Sequence, residues 1–333
     1  MSGHLILVTG GAGFIGSNIV SRLCQDEQYD VVVCDRLRAA ESGKWRNIAK
    51  GAISDFIDPD QMWDWLAKYG SDLEAIIHMG AISATTEPDA DKIVQNNFCL
   101  SRDLFRWCAA NDCRFIYASS AATYGDGSLG FDDDNDIEAL KALRPLNAYG
   151  WSKALFDIFA VRASHQGDAP KQWAGLKFFN VFGPNEYHKG SMKSVVSQIY
   201  PRIAAGEGVQ LFRSHKAGYE DGGQLRDFVY VADVVNVVDW LVETETVNGV
   251  FNLGTGKART FLDLAKATFA AAGKPAVVSY IDTPEVIRDK YQYFTEAKMD
   301  RLRAAGYSQP FWSMEAAVAD YVQSYLSQED PYV

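Results

Sequence analysis

Short apolar runs rich in β-branched residues alternate with longer amphipathic stretches through the first half of the chain. This alternation is typical of a parallel sheet whose strands are joined by helices that cover its faces. The apolar runs predict strands at residues 5–9, 31–34, 75–78, 115–119 and 176–180. The amphipathic stretches predict helices at residues 13–24, 91–111 and 148–165.

The pattern changes after Gly183-Pro184. Residues 185–191 are rich in Gly, Lys, His and Ser and precede another predicted helix, and residues 217–223 predict a turn. Residues 250–253 predict one more core strand before the smaller C-terminal elements. The acidic run at residues 132–134 is predicted to be a solvated loop.

Composition narrows the classes of partner and compartment. The 333 residues carry a net charge of −11 spread along the chain, which disfavours nucleic acid as a partner. The five cysteines include no C-x-x-C pair, which argues against a disulfide framework or a zinc site and for a reducing compartment, the cytoplasm. No apolar run reaches the ~18 residues of a membrane span, and the first residues lead into a strand without a signal-peptide pattern. We therefore expect a small-molecule partner and no metal.

A glycine-rich turn directly follows the first predicted strand and opens a predicted helix. Gly11, Gly13 and Gly16 fit the pattern G-x-G-x-x-G, and Gly10, Gly13 and Gly16 fit G-x-x-G-x-x-G. Such glycines let backbone N–H groups approach a pyrophosphate at the helix N-terminus. The strand–turn–helix context predicts a dinucleotide site rather than a structural turn. The predicted contacts from the turn are Gly10, Gly11, Gly13, Phe14, Ile15 and Gly16.

The end of the second predicted strand bears on the choice of cofactor. Asp35 follows the glycines at the spacing of the residue that accepts hydrogen bonds from the adenosine ribose, which favours NAD. Arg36 and Lys44 follow closely, and a cation there can pair with a 2′-phosphate, which favours NADP. Surface solvation is the alternative for these cations. We expect NADP, with NAD possible.

Tyr149 and Lys153 form the only Y-x-x-x-K in the chain, at the start of a predicted helix. The four-residue spacing places both side chains on one helical face. A lysine ammonium beside the tyrosine, together with the positive nicotinamide ring, would stabilise the phenolate and make it a usable base. Ser120 follows the fourth predicted strand, so it is expected at the carboxyl edge of the sheet, where ligands bind. These residues predict redox chemistry at a hydroxyl-bearing carbon.

Taken together, these motifs resemble the extended short-chain dehydrogenase/reductase family of nucleotide-sugar epimerases and dehydratases. The resemblance covers most of the chain and also includes residues 78–81, 179–184, 226–231 and 252–256. It implies that Ser120 assists catalysis and that Asn180 and Arg226 meet the substrate, with a structural salt bridge as the alternative for Arg226. The further cofactor contacts that it implies are Met79, Gly80, Ala81, Asn97, Lys153 and Val181.

The family resemblance and the hydrophobic pattern give one prediction of the fold. The fold class is α/β, a Rossmann-like doubly wound parallel sheet with a smaller C-terminal substrate-binding lobe. The dinucleotide-binding domain is predicted at residues 1–180, rejoined by about 227–262. The substrate-binding lobe is predicted at residues 181–226 and 263–333.

Five short segments indicate which branch of the family the chain resembles. Dehydratases of the family carry Asp-Glu where this chain has Ala121 and Ala122, which argues against dehydration. Residues 186–192, with 85–87, 291–292 and 302–307, resemble the branch that inverts C6″ of an ADP-linked heptose for the lipopolysaccharide inner core. Met79 and Gln198 depart from that branch, which usually has Glu and His there, and residues 213–224 are longer than usual.

Inversion at C6″ by oxidation and reduction requires a second base in the site. The transient carbonyl must rotate about C5″–C6″ to present its other face, so one base cannot serve both epimers. Tyr149 is the predicted base for one epimer and Lys189 for the other; a diphosphate-neutralising role, shared with His188, is the alternative for Lys189. The remaining substrate contacts that the resemblance implies are Ser191, Gln198, Phe212 and Tyr291, with packing as the alternative for Tyr291.

Two other functions compete with this expectation. A UDP-hexose 4-epimerase rotates its keto-sugar in the site and needs one base, so Lys189 would be dispensable. A dinucleotide-sensing protein without turnover would have little use for Ser120, Tyr149 and Lys153 together. The family resemblance also implies a homo-oligomer, a pentamer.

Overall fold

A computed structural model describes residues 3–37, 43–85, 87–288 and 292–333. The strands are β1 (His4–Thr9), β2 (Tyr29–Cys34), β3 (Asp55–Ile57), β4 (Leu73–His78), β5 (Arg114–Ser120), β6 (Trp173–Phe178), β7 (Asn180–Phe182), β8 (Val209–Phe212), β9 (Leu225–Tyr230), β10 (Gly249–Leu253), β11 (Ala258–Thr260) and β12 (Val278–Ile281). The α-helices are α1 (Phe14–Leu23), α2 (Met62–Tyr69), α3 (Ala90–Ile93), α4 (Leu100–Ala110), α5 (Ile137–Ala142), α6 (Ala148–Gln166), α7 (Val195–Ala204), α8 (Val231–Glu243), α9 (Phe261–Ala271), α10 (Glu285–Arg288), α11 (Asp300–Ala304) and α12 (Met314–Asp320).

Shorter helical segments connect these elements. The 3₁₀ segments are Lys44–Ile48, Pro59–Gln61, Gly70–Asp72, Ala121–Tyr124 and Tyr187–Met192. The π-helical segments are Val94–Cys99 and Tyr321–Leu326. Among the described residues, no helix combines the length and apolar character needed to cross a membrane.

Seven parallel strands form the central sheet in the order β10-β6-β5-β4-β1-β2-β3. The chain moves outward from β1 in both directions, so the topological switch point lies between β1 and β4. Ligands of such sheets bind outside the carboxyl ends of the strands at this point. The predicted Rossmann-like α/β class is confirmed.

The sheet is apolar on both faces because helices cover both. In β1, Ile6 and Val8 pack into the core cluster shared with α1 and α8, whereas Leu5 and Leu7 pack into the opposite cluster, shared with α4 and α6. A strand buried on both faces reads as a continuous apolar run. This is why the first strand could be predicted from the sequence without any alternation of polar residues.

A smaller lobe is built from a three-stranded sheet, β11-β9-β7, and a two-stranded sheet, β12-β8. Strand β10 returns to the central sheet beside β6, and helix α8 packs against α1. Strand β9 lies in the small sheet between β7 and β11. The proposed domain boundaries at 181 and 227 therefore fall beside or within strands of this small sheet, and the division into domains stays a prediction.

Three sequence predictions differ from the structure in detail. The strand predicted at 176–180 ends at Phe178, and Asn180 begins the separate strand β7. The helix predicted at 91–111 contains the π-helical segment, and β3 and α2 were not predicted. The prediction of a solvated acidic loop was wrong for Asp133, which is buried and accepts a hydrogen bond from the Asn252 N–H (2.7 Å).

His78, the last residue of β4, is buried with both ring nitrogens in use. Its Nδ1 lies 2.6 Å from the Thr9 hydroxyl and its Nε2 lies 2.9 Å from the Ser101 hydroxyl. Burial, and to a lesser extent the charge of Lys153, lowers the pKa of His78 to about 3. The unfolded chain therefore binds a proton at this residue below its ordinary pKa of about 6.5, while the folded chain does not.

We expect His78→Gln to reduce the acid sensitivity of the protein. The contribution of His78 to the free energy of unfolding is fully present above pH 6.5. It is lost as the pH falls towards 3, because only the unfolded chain binds the proton in this range. Between pH 7 and 4.5 this loss is about 3 kcal/mol. Urea unfolding at both pH values should show a smaller difference in His78→Gln than in the wild type. The exposed His165→Gln is the matched control, and equal pH dependence in all three proteins would contradict the expectation.

Candidate active site

The glycine turn at the switch point forms a cradle that larger residues would fill. A Cβ at Gly10 would lie 2.6 Å from the Gly80 nitrogen, and a Cβ at Gly16 would overlap the Gly10 carbonyl oxygen. Gly10 also has a φ of +66°, a conformation that favours glycine. Helix α1 begins at Phe14 without a side-chain cap, so its first N–H groups can meet an anion. These features fit the pyrophosphate of a dinucleotide.

A pocket of about 350 Å³ extends from this cradle along the ends of β1, β2 and β4. Predicted cofactor residues that line it are Gly10, Asp35, Arg36, Lys44, Met79, Gly80 and Ala81. Further lining residues that the sequence analysis missed include Asp60, Met62, Ile82 and Gln95. The pocket has the position expected for the adenosine half of a dinucleotide.

Asp35 is already engaged by the chain itself. Its carboxylate accepts hydrogen bonds from the Ala12 N–H (2.9 Å) and the Arg36 N–H (2.7 Å), and it pairs with the Lys44 ammonium (2.6 Å). The Arg36 guanidinium pairs with Asp60. The negative charge of Asp35 at the pocket is therefore offset by Lys44. The sequence predicted both residues as cofactor contacts but did not predict that they pair with each other.

Asn97, a predicted cofactor contact, does not line the pocket described above. It is buried, its Oδ1 accepts from the Ile82 N–H (2.8 Å), and its amide donates to the Ile82 carbonyl and the Ser152 hydroxyl. Asn97 thus fixes the backbone of Ile82, which lines the cofactor pocket, against helix α6.

Helix α6 presents Tyr149 and Lys153 to the ends of β5 and β6. The Asn147 side chain caps the helix by accepting from the Gly150 N–H (2.8 Å). The buried Lys153 ammonium donates to the Ala118 carbonyl of β5 (2.7 Å). Burial lowers the pKa of Lys153 to about 8, while the nearby carboxylate of Asp157 opposes this change.

Ser120, the last residue of β5, interacts with the Tyr149 phenol. The Ser120 hydroxyl accepts from the Ala122 N–H (3.1 Å), which leaves its proton free to be donated. Burial raises the pKa of Tyr149, and the hydrogen bond to Ser120 opposes this rise. The chain alone therefore keeps Tyr149 protonated, the form that donates a proton to a carbonyl oxygen.

A second pocket of about 400 Å³ lies between helix α1, helix α6 and the small lobe. Seven predicted site residues line it: Phe14, Ile15, Ser120, Tyr149, Asn180, Val181 and Lys189. Lining residues that sequence reasoning missed include Ser83, Phe179, Met192, Lys193, Phe261 and Leu264. The structure thus brings the two proposed bases to one cavity, although 40 residues separate them in the chain.

Lys189 is held by a loop that is anchored at Glu186. The wholly buried Glu186 carboxylate accepts from the Ser194 N–H and hydroxyl (both 2.5 Å) and from the Tyr321 hydroxyl (3.0 Å). The Lys189 ammonium lies 4.0 Å from Glu186 and 4.9 Å from the centre of the Phe14 ring. Burial lowers the pKa of Lys189, with Glu186 opposing, which favours the neutral amine that a base requires.

His188 contributes no charge to this pocket at neutral pH. Its Nδ1 lies 3.2 Å from the Asn47 amide nitrogen. Burial, then the charges of Lys44 and Lys189, lowers the pKa of His188 to about 4. A joint role of His188 and Lys189 as cationic diphosphate clamps is therefore weakened.

Four other predicted substrate residues lie away from the lining of both pockets. Ser191 and Gln198 are exposed, and the Gln198 amide donates to the carbonyls of Ser191 and Lys193. Phe212 ends β8. Arg226 is buried, donates to the Leu225 and Gln292 carbonyls and stacks on the Phe261 ring. Tyr291 lies outside the described residues.

No group of three or more His, Cys, Asp or Glu side chains within the described residues is arranged to hold a metal ion. Beside the dinucleotide cradle, the site brings together tyrosine, serine and lysine side chains.

A Rossmann-like sheet with this cradle and a Tyr–Lys–Ser site defines a nicotinamide-dependent enzyme. The chain belongs to the NAD dependent epimerase/dehydratase family, whose model matches residues 6–254. It is 48% identical to an ADP-L-glycero-D-manno-heptose-6-epimerase of Fusobacterium nucleatum, covering 99% of this chain and 100% of the relative. It is 50% identical to the Nitratidesulfovibrio vulgaris (strain DP4) enzyme of the same name, with the same coverage.

A solved structure agrees with these relatives. The crystal structure of Helicobacter pylori ADP-L-glycero-D-manno-heptose-6-epimerase superposes with a TM-score of 0.78 at 28% identity. The match covers 97% of this chain and 96% of that chain. The fold is shared more widely, since the UDP-N-acetylglucosamine 4-epimerase of Methanobrevibacter ruminantium superposes with a TM-score of 0.80 at 25% identity, covering 98% of this chain and 100% of that chain.

Proposed function

We propose that the protein inverts C6″ of ADP-D-glycero-β-D-manno-heptose to give ADP-L-glycero-β-D-manno-heptose, with bound NADP. The observation that carries this proposal is the placement of Tyr149 and Lys189 in one cavity, in a chain similar over its full length to epimerases of that name. The product would supply heptose for the lipopolysaccharide inner core. We propose that the enzyme works as a cytoplasmic homo-oligomer, a pentamer by family resemblance.

The reaction is redox-neutral and needs proton transfer at one oxygen from two sides. When bound, the oxidised cofactor would supply the hydride acceptor and a positive charge that favours the phenolate of Tyr149. Tyr149, hydrogen-bonded to Ser120, moves the proton of the C6″ hydroxyl of one epimer. Lys153, fixed to the Ala118 carbonyl, adds positive charge that favours the phenolate.

Lys189 is suited to the other epimer because it enters the same cavity from the small lobe. Its lowered pKa makes the neutral amine accessible, and its loop is fixed by buried contacts of Glu186. After rotation about C5″–C6″ the oxygen turns away from Tyr149, so a donor on another wall is needed.

We propose that the adenosine pocket takes NADP rather than NAD. A ribose that binds NAD would compete with Lys44 and two backbone N–H groups for the Asp35 carboxylate. A 2′-phosphate would instead meet Lys44 and Arg36, with the charge of Asp35 already offset.

We expect purified protein to interconvert the two ADP-heptose epimers with no net accumulation of reduced cofactor. Tyr149→Phe should lower turnover by a factor on the order of 10²–10⁴, the usual effect of losing a positioned acid–base. Tyr29→Phe, at the opposite edge of the sheet, is the matched control. Steady formation of reduced cofactor would indicate a dehydrogenase, and a Tyr149→Phe variant of normal activity would exclude the proposed role.

For Lys189→Met we expect binding of ADP-heptose within roughly tenfold of the wild type, about 1.4 kcal/mol, and loss of epimerisation. The reason is that a base contributes to turnover more than to binding. Calorimetric affinity and the rate at saturation separate the two quantities, with the exposed Lys274→Met as control. A near-normal saturated rate would end the two-base proposal and favour a one-base epimerase of the 4-epimerase type.

We expect Lys44→Met to weaken NADP binding at least tenfold and NAD binding less, because Asp35 would then repel the 2′-phosphate and accept the ribose hydroxyls. Fluorescence titration of both cofactors measures the ratio of their affinities. Lys50→Met is the matched control, since Lys50 follows the same 3₁₀ segment but pairs with Asp330 (3.0 Å). An unchanged ratio in Lys44→Met, or NAD as the sole cofactor released from purified protein, would contradict the NADP assignment.

A further inference from the structure

A buried ion pair lies directly behind the proposed catalytic residues. Asp157 of α6 and Lys177 of β6 have wholly buried side chains, and their charged atoms are 2.8 Å apart. Burying two charges costs solvation free energy that their attraction offsets only with good geometry and further hydrogen bonds. The proton transfers proposed above do not use this pair, so its position needs another explanation.

Both members of the pair are fully engaged with the strand end that carries Ser120. The Asp157 carboxylate also accepts from the Ser119 hydroxyl (2.7 Å) and the Tyr117 hydroxyl (2.9 Å). The Lys177 ammonium also donates to the Thr123 hydroxyl (2.7 Å). These contacts bracket Ser120 from both sides, since Ser119 precedes it in β5 and Thr123 follows it.

The spacing along α6 links the pair to the catalytic residues. Tyr149, Lys153 and Asp157 are four residues apart in turn and share one face of the helix. Lys153 is hydrogen-bonded to the Ala118 carbonyl of β5. Asp157 is hydrogen-bonded to Ser119, the next residue of β5, and is paired with Lys177 of β6. A rotation or slide of α6 would break several buried polar contacts at once.

We propose that Asp157 and Lys177 form one charge-balanced clamp that positions Tyr149 and Lys153 against the strand ends that carry Ser120. Both are positioning residues, because neither lines the substrate cavity. This inference rests on the proposed roles of Tyr149 and Lys153. It adds that Lys177 must balance the charge of Asp157 if Tyr149 and Lys153 are to transfer protons at neutral pH.

The surrounding groups leave this charge balance to the pair. His78 of β4 has its pKa lowered to about 3 by burial and the charge of Lys153, so it is neutral. Burial raises the pKa of Tyr117 in β5 and of Tyr124 after it, so both stay protonated. Burial raises the pKa of Tyr149 and lowers that of Lys153, and the carboxylate of Asp157 acts to raise both. The adjacent Lys177 offsets the charge of that carboxylate.

The test is the pH dependence of kcat for epimerisation by the NADP-loaded enzyme. In a plot of kcat against pH, the ascending limb is the range in which kcat rises with pH. Lys177→Met leaves the charge of Asp157 unmatched and should move the midpoint of this limb to higher pH, by on the order of one unit. Asp157→Asn leaves Lys177 unmatched and should move the limb down by a similar amount. The double variant has no buried charge at either position and should return the limb to within a few tenths of a unit of wild type.

Control variants separate this inference from the proposed function. Lys171→Met breaks an exposed ion pair just before the other end of β6, with Asp112 at 3.2 Å, and should leave the limb unmoved. Near-normal activity in Tyr149→Phe would overturn the proposed function itself. With Tyr149→Phe inactive, an unmoved limb in both single variants of the pair would overturn the clamp.

Conservative changes keep the test valid if a single variant does not fold. Lys177→Arg keeps the charge but changes the length and shape of the donor. The limb should stay in place while kcat falls about tenfold, with KM for ADP-heptose within threefold of wild type, because positioning affects the reacting geometry more than binding. Wild-type kcat in both Lys177→Arg and the double variant would overturn the proposal.

Discussion

The site depends on the way helix α6 is fixed to the carboxyl ends of β5 and β6. The ammonium of Lys153 and the carboxylate of Asp157 are buried and hydrogen-bonded to those strands, one helical turn apart. Leaving such groups without partners would cost several kcal/mol each. The helix therefore has one stable register, and in that register Tyr149 meets Ser120. Catalytic geometry here follows from the satisfaction of buried polar groups.

Phe14 connects the cofactor side of the site with the substrate side. It is the first residue of α1, directly after the glycine turn, and its ring contacts the Lys189 ammonium. The turn can place α1 there because Gly10 and Gly80 pack backbone against backbone. A cation over an aromatic face is favourable when partly desolvated. The dinucleotide cradle and the second proposed base thus share one wall, and the family's glycine pattern contributes to both.

In the small lobe, Glu186 fixes the loop that carries Lys189. This carboxylate belongs to the residue directly before the 3₁₀ segment that carries Lys189, and it accepts hydrogen bonds from Ser194 and from Tyr321 of the C-terminal region. A partly buried lysine with a lowered pKa is costly to place, since desolvation disfavours its charged form. The anchored loop keeps Lys189 close enough to one carboxylate to be stable, yet leaves it 26% exposed to the cavity.

The sequence by itself determined the parallel sheet, the glycine turn and the Tyr149–Lys153 couple, because each depends on local periodicity or spacing. Its motifs also resemble the family to which the chain belongs. Only the tertiary structure decided which distant groups meet. It matched Asp35 with Lys44, brought Tyr149 and Lys189 into one cavity, and ended β6 at Phe178. It also buried an acidic residue of a predicted loop and paired an aspartate with a lysine 20 residues away. Periodicity indicates which face of an element is buried, but the partner of a buried charge is set by the packing of separate elements.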